Sequence, residues 1–172
     1  MPKVFLNLGS NVERDQNFRS GLSSLKRTFG DLSLSSIYES EPVGFDGACF
    51  YNMAVSIETE LSLPKVIKAL KTIEDSHGRL RGDKHFAPRT LDIDVVSYGQ
   101  LTGFHDGVEL PRPELYYNGF VLWPMAELAP DDIDSKTGLS YQVLWQLKQV
   151  EIEAKQKVWR IDPSSVAAIL KP

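Results

Sequence analysis

The chain has 172 residues, 42% hydrophobic and 24% charged, with a formal net charge of −4. That balance excludes a disordered chain and fits one domain over residues 1–172, while the acidic sign disfavours non-specific nucleic-acid binding, which needs a broad basic surface. No apolar run approaches the roughly 20 residues that cross a membrane. The start, Met1-Pro2-Lys3-Val4-Phe5-Leu6, lacks the features of a signal peptide, and the single Cys49 excludes an internal disulfide framework. The expected setting is the cytoplasm, with no nucleic-acid and no membrane partner.

In chain order, Val4-Phe5-Leu6-Asn7-Leu8 reads as a buried strand running into a turn at Gly9-Ser10-Asn11. From about Arg14, apolar residues at Phe18, Leu22, Leu25 and Phe29 follow the i, i+4, i+7, i+11 spacing of one helical face, with Gly30 as a C-terminal cap. Leu32 to Glu39 alternates with period two, and Phe50 to Thr59 reads as a further strand. Between them lies a loop rich in Pro and Gly, Ser40 to Gly47. Pro64 opens a second helix whose apolar face is Val66, Ile67, Leu70 and Ile73, and Asp92 to Tyr98 forms the next strand. Strand, helix, strand, strand, helix, strand is the order of a ferredoxin-like α+β fold, an antiparallel sheet with helices packed on it. After Leu101 come a Pro-flanked loop, a Leu-rich stretch over Phe120–Leu128, a helix near Tyr141–Val150 and a strand at Val158–Ile161. These are C-terminal additions, ending in a poorly ordered tail at Ser164–Pro172.

Chemistry concentrates in residues 78–96. Arg79, Arg81, Lys84 and Arg89 put four cations within eleven residues, and Asp92 and Asp94 follow at once. On a strand, positions i and i+2 share a face, so the two carboxylates project side by side. Adjacent carboxylates repel unless a cation lies between them, and Mg²⁺ is held by one or two carboxylates plus substrate phosphates. Guanidinium groups grip phosphate oxygens bidentately. Gly82 to Pro88 reads as a loop that would close over substrate. An ion-paired surface loop is the competing account of the same residues, at about 0–1 kcal/mol per pair. The aspartates interrupt an apolar strand, where an unpaired carboxylate is costly, and this favours a phosphate site.

The segment His85-Phe86-Ala87-Pro88-Arg89-Thr90-Leu91-Asp92-Ile93-Asp94-Val95-Val96 resembles the signature of the 6-hydroxymethyl-7,8-dihydropterin pyrophosphokinases. Gly9-Ser10-Asn11, Pro42-Val43-Gly44, Asn52, Glu74, Gly78-Arg79-Leu80-Arg81 and Phe120-Val121-Leu122-Trp123-Pro124 fall in that family's order, so the resemblance spans residues 3 to about 130. It implies ATP and the dihydropterin alcohol as substrates, Mg²⁺ as a pair of ions, and AMP as leaving product in folate biosynthesis. It also implies metal ligation by Asp92 and Asp94 and contacts to the transferring groups from Arg79 and Arg89. Glu74, Arg81 and Arg112 are expected around ATP, and Val43, Gly44, Phe50, Asn52 and Phe120 around the pterin. A monomer is expected.

The chain departs from the family where Pro111-Arg112-Pro113 replaces a histidine between prolines, and where Glu114 and Asn118 stand at commonly basic positions. Phe86 and Phe50 occupy places that often hold tryptophan and tyrosine; they keep a stacking surface and lose a polar handle. A pterin- or nucleotide-binding paralogue with weak or no turnover is therefore the alternative. A Mg-dependent hydrolase using the same aspartates is a third reading, opposed by the acidic charge and the lack of a general base.

Overall fold

The computed structural model describes residues 1–42, 47–78 and 91–170. Val43, Gly44, Arg79, Arg81, Phe86 and Arg89 lie outside the described residues.

The described elements run β1 (Lys3–Ser10), α1 (Arg14–Phe29), β2 (Ser33–Leu34), β3 (Tyr38–Ser40), β4 (Phe50–Glu58), α2 (Leu63–Ser76), β5 (Asp92–Tyr98), β6 (Gly103–His105), β7 (Val108–Leu110), α3 (Gly119–Leu128), α4 (Tyr141–Lys155), β8 (Val158–Arg160) and α5 (Ala167–Leu170). Short 3₁₀ turns cover Pro113–Tyr116 and Pro163–Val166. The main sheet has the order β5-β1-β4-β3-β8, with β2 also on β4. Among the described residues all its strand pairs are antiparallel. This is the α+β, ferredoxin-like arrangement expected from the element order, extended by β8.

The sheet has two unlike faces because strand side chains alternate. Val4, Leu6 and Leu8 of β1, Met53, Val55 and Ile57 of β4, and Ile93 and Val95 of β5 join Phe18, Leu22 and Leu25 of α1 and Val66, Leu70 and Ile73 of α2 in one buried cluster. On the other face, Phe5, Ala54 and Val96 meet α3 and α4 through Val121, Leu122, Met125, Leu144 and Trp145. A register shift between Phe5 and Leu6 accommodates the extra residue in β5. The Trp123 and Trp145 rings stack with centroids 5.4 Å apart, and Tyr38 packs on Trp123 at 4.8 Å. Burial first, then the Asp134 charge, pushes the Tyr141 phenol up to about 12. It stays a neutral core group.

Three expectations change in detail. Leu32 to Glu39 is two short strands, because Ser35 and Ser36 divert the backbone. The Ser35 hydroxyl accepts from the Ala54 N–H at 2.9 Å, and the Ser36 N–H and hydroxyl both donate to Glu127. Side chains of this kind compete with ladder bonds. The Pro-flanked loop contains a hairpin of β6 and β7 turning on Asp106-Gly107, both at positive φ (53° and 84°). That is the two-residue turn whose twist suits antiparallel strands.

The tail is the third change. Residues 164–170 are folded into the short turn and α5, with Val166 and Ile169 buried in the α1/α2 cluster. Hydrophobic burial therefore overrides the composition of the terminus. Ile169→Ala is expected to lower unfolding stability by about 2–5 kcal/mol in denaturant titration, the range for truncating a buried aliphatic side chain. Ala168→Ser, on the exposed side of the same turn, should stay within about 0.5 kcal/mol.

Candidate active site

Helices α3 and α4 cover only part of the second sheet face. Where they stop, the strands continue, and the same alternation that buries Phe5, Ala54 and Val96 places polar side chains on an open floor. β1 pairs Gly9 with Asn52 of β4 and with Asp92 of β5, and pairs Asn7 with Asp94. Asn7, Gly9, Phe50, Asn52, Asp92 and Asp94 thus line a cleft of about 280 Å³. Ser40, Glu41 and Pro42 form one side of it, while Phe120 and Val121 of α3 and Arg112 and Glu114 form the other.

Each member is held for a physical reason. Gly9 has no side chain to obstruct the floor: a Cβ there would lie 2.9 Å from Asn52 Oδ1. Asn52 is 6% exposed and Asn7 7%, so both amides are fixed groups with little freedom to turn toward water. Asn7 Nδ2 donates to the Phe120 carbonyl at 3.1 Å. That carbonyl needs an outside donor because Pro124, four residues on inside α3, has no N–H to offer. Phe120 is thereby pinned to the sheet at the cleft edge. Ser10, part of the turn read at Gly9-Ser10-Asn11, donates its hydroxyl to the Val12 carbonyl at 3.0 Å. That is a local turn contact.

Asp92 and Asp94 are half-buried and face the cleft with the alternation expected of them. Arg112 approaches from the segment after β7, where its N–H donates to the Val96 carbonyl at 2.8 Å. Its guanidinium lies 3.7 Å from Asp94 Oδ2 and is paired through Nε with Glu114. Glu114 also accepts from the Tyr117 hydroxyl, and desolvation followed by this neighbouring charge raises the Tyr117 phenol above its ordinary value. Arg112 is thus shared between two acids at the cleft.

Glu74 is elsewhere. It is 5% exposed on α2, and its Oε2 accepts the Ile93 N–H at 2.9 Å. β5 is an edge strand of the sheet, so this carboxylate covers backbone that would otherwise be open, immediately between Asp92 and Asp94 in sequence. It is not among the residues lining the cleft. The structure therefore brings together Asp92, Asp94, Arg112, Phe50, Asn52 and Phe120, and sets Glu74 behind the strand that carries the aspartates.

Residues that sequence reasoning did not single out are Asn7, Gly9 as a floor position, Glu41 and Val121. The signal for Asn7 is present in β1, where Phe5, Asn7 and Gly9 alternate with Val4, Leu6 and Leu8. Glu41 carries no comparable signal, since a loop residue has no periodicity.

The family model for 7,8-dihydro-6-hydroxymethylpterin-pyrophosphokinase (HPPK) matches residues 5–130. A 2-amino-4-hydroxy-6-hydroxymethyldihydropteridine pyrophosphokinase of Synechocystis sp. is 35% identical over 164 residues, covering 90% of this chain and 81% of the relative. The Bacillus subtilis protein of the same description is 34% identical over 129 residues, 73% of this chain and 77% of the relative. A crystal structure of HPPK-DHPS in complex with substrates superposes with a TM-score of 0.71 at 12% identity, over 90% of this chain and 46% of that one. A Plasmodium falciparum HPPK-DHPS triple mutant gives 0.68 at 13%, over 87% and 42%. The chain thus spans less than half the length of those solved chains, and at such identity the likeness speaks for the fold alone. Residues 5–130 carry the assignment: the chain belongs to the 7,8-dihydro-6-hydroxymethylpterin-pyrophosphokinase family.

Proposed function

We propose that the chain transfers pyrophosphate from ATP to the hydroxymethyl group of 6-hydroxymethyl-7,8-dihydropterin, releasing AMP, as a step of folate biosynthesis. The observation that carries this reading is the meeting of two chemistries in one cleft. Asp92 and Asp94 stand on the same floor as Asn52, with Phe120 at its edge. A flat heterocycle rich in donors and acceptors is held by aromatic faces and a few fixed polar groups. Asn52 serves the ring edge and Phe50 and Phe120 its faces, and the family resemblance adds Val43 and Gly44 as pterin contacts.

The two aspartates fit a hard divalent cation, because they are oxygen donors on one face of one strand. Among the described residues no group of three His, Cys, Asp or Glu side chains is arranged to hold a metal. A hard divalent ion held by one or two carboxylates takes its remaining ligands from phosphate oxygens and water. When bound, a pair of Mg²⁺ ions would neutralise charge on the ATP phosphates. Arg79 and Arg89 contact the transferring groups, Arg81 and Arg112 assist around ATP, and Glu74 supports the site from behind by holding Ile93.

Chemically, the hydroxymethyl oxygen forms a bond to the β-phosphorus in line with the bond that breaks, that between the β-phosphorus and the oxygen bridging to the α-phosphate. AMP leaves with the bridging oxygen, and the hydroxyl proton passes to solvent. No protein nucleophile is needed. Positioning and charge neutralisation supply the acceleration. We propose that the chain acts as a monomer. Among the described residues no helix is long and apolar enough to cross a membrane. The single Cys49 supports the proposal of a reducing, cytoplasmic setting.

The competing reading, a binding paralogue with little turnover, draws on the pairing of Arg112 with Glu114. AMP release from ATP and Mg²⁺ that depends on the pterin alcohol establishes the transferase. Pterin binding without AMP establishes the paralogue. Asp94→Ala is expected to lower AMP formation by at least about 100-fold with the melting temperature preserved; an active, Mg²⁺-dependent variant would remove Asp94 from the metal site. Arg112→Gln is expected to separate two affinities. It removes a cation from Asp94, so Mn²⁺ binding without nucleotide should tighten about two- to fivefold by electron paramagnetic resonance titration. It also removes a phosphate contact, so an ATP analogue should bind about tenfold more weakly by calorimetry.

A further inference from the structure

The family match ends at residue 130, yet the chain beyond it touches both sides of the cleft. The junction between α4 and β8 is the point of contact. Gln156, half-buried there, accepts the Gly119 N–H on its Oε1 at 2.9 Å. Its Nε2 donates to Asn118 Oδ1 at 2.8 Å and to the Tyr117 carbonyl at 3.2 Å. The first N–H groups of a helix have no partner within it. One glutamine therefore satisfies the opening of α3 and ties down the turn before it.

The seat is also steric. A Cβ on Gly119 would lie 3.0 Å from Ile152 Cγ2 and 3.4 Å from Val158 Cγ2. The backbone at the start of α3 rests directly on the C-terminal segment. Phe120, the next residue, lines the cleft, and its carbonyl is held from the sheet side by Asn7. One residue further along the same brace, the Lys157 carbonyl accepts the Glu41 N–H at 3.2 Å, and Val158 pairs with Ser40. Ser40, Glu41 and Pro42 form the opposite side of the cleft.

We propose that Gln156 is a positioning residue for the pterin pocket, which sets Phe120 through Gly119 and links that side of the cleft to the Ser40–Pro42 side through β8. The proposal rests on the pterin reading of the cleft and deepens it. Asn118, at a position where the family commonly carries a basic residue, serves here as an acceptor in this bracket. The aspartates stand on β5 at the far edge of the sheet from β8, so Gln156 acts chiefly on the pterin side, and reaches Arg112 only indirectly, through Tyr117 and Glu114.

The test is a titration of 6-hydroxymethylpterin by fluorescence, together with KM values for the pterin alcohol and for ATP. Gln156→Leu keeps the size and removes every polar atom. It should raise the pterin Kd and KM about tenfold, in line with losing hydrogen bonds that hold a backbone in place. The KM for ATP should stay within about twofold, the scatter left when a distant site is untouched. Gln156→Glu should rescue part of the affinity, since a carboxylate still accepts from Gly119 and the Asn118 amide can turn to donate, while the Tyr117 carbonyl loses its donor. If Gln156→Leu fails to fold, Gly119→Ala, which presses the start of α3 off Ile152, should give the same pterin-selective loss. Unchanged pterin constants, or equal losses for pterin and ATP, overturn the proposal and leave the transferase reading standing. No pterin titration by the unaltered chain removes both.

Discussion

Everything at the cleft depends on β1 lying between β4 and β5. A central strand hydrogen-bonds on both sides, so its register dictates which residues of its neighbours stand level with one another. Here Gly9 is level with Asn52 on one side and Asp92 on the other, and Asn7 is level with Asp94. A slip of one residue in either ladder would turn a whole set of side chains to the opposite face. The buried Val4, Leu6 and Leu8 on the helical side forbid that slip. The polar floor is therefore held in place by the apolar face behind it.

The cleft also exists because the second face of the sheet is incompletely covered. Helix α3 ends its coverage at Phe120, and the way it begins is unusual. Its first N–H is satisfied by Gln156, and the carbonyl released by Pro124 is satisfied by Asn7. An unsatisfied buried carbonyl or N–H costs about 1–3 kcal/mol, so both groups demand a partner from outside the helix. Those partners come from opposite directions, one from the sheet and one from the C-terminal segment. Phe120 is fixed between them.

The charge pattern at the site runs against the chain as a whole only in part. Among the described lining residues, Glu41, Asp92, Asp94 and Glu114 stand against Arg112. A locally acidic floor repels bare phosphate, and a phosphorylated substrate is tolerated there only with cations beside it. Under the proposed function that condition would be met by Mg²⁺ on the aspartates and by the arginines that the sequence clusters ahead of β5. Glu114 adds a further demand, because it draws Arg112 aside.

Much of this was legible in the amino-acid order. Helices α1 and α2 and strands β1, β4 and β5 follow from periodicity, since a buried face repeats every 3.6 or every 2 residues whatever it packs against. Asp92 and Asp94 were visible for the same reason, as polar interruptions at the i and i+2 positions of an apolar strand. Glu74 enters the sequence reading only through the family resemblance, and its contact with Ile93 is not legible there, because it depends on which strand lies at the sheet edge. The folding of the tail around Val166 and Ile169, the service of Asn7 to Phe120 and the bracket at Gln156 likewise join residues far apart in the chain. Periodicity describes a segment and one face of it. Which segments meet, and which polar atoms they leave for one another to satisfy, is decided only when the layers pack.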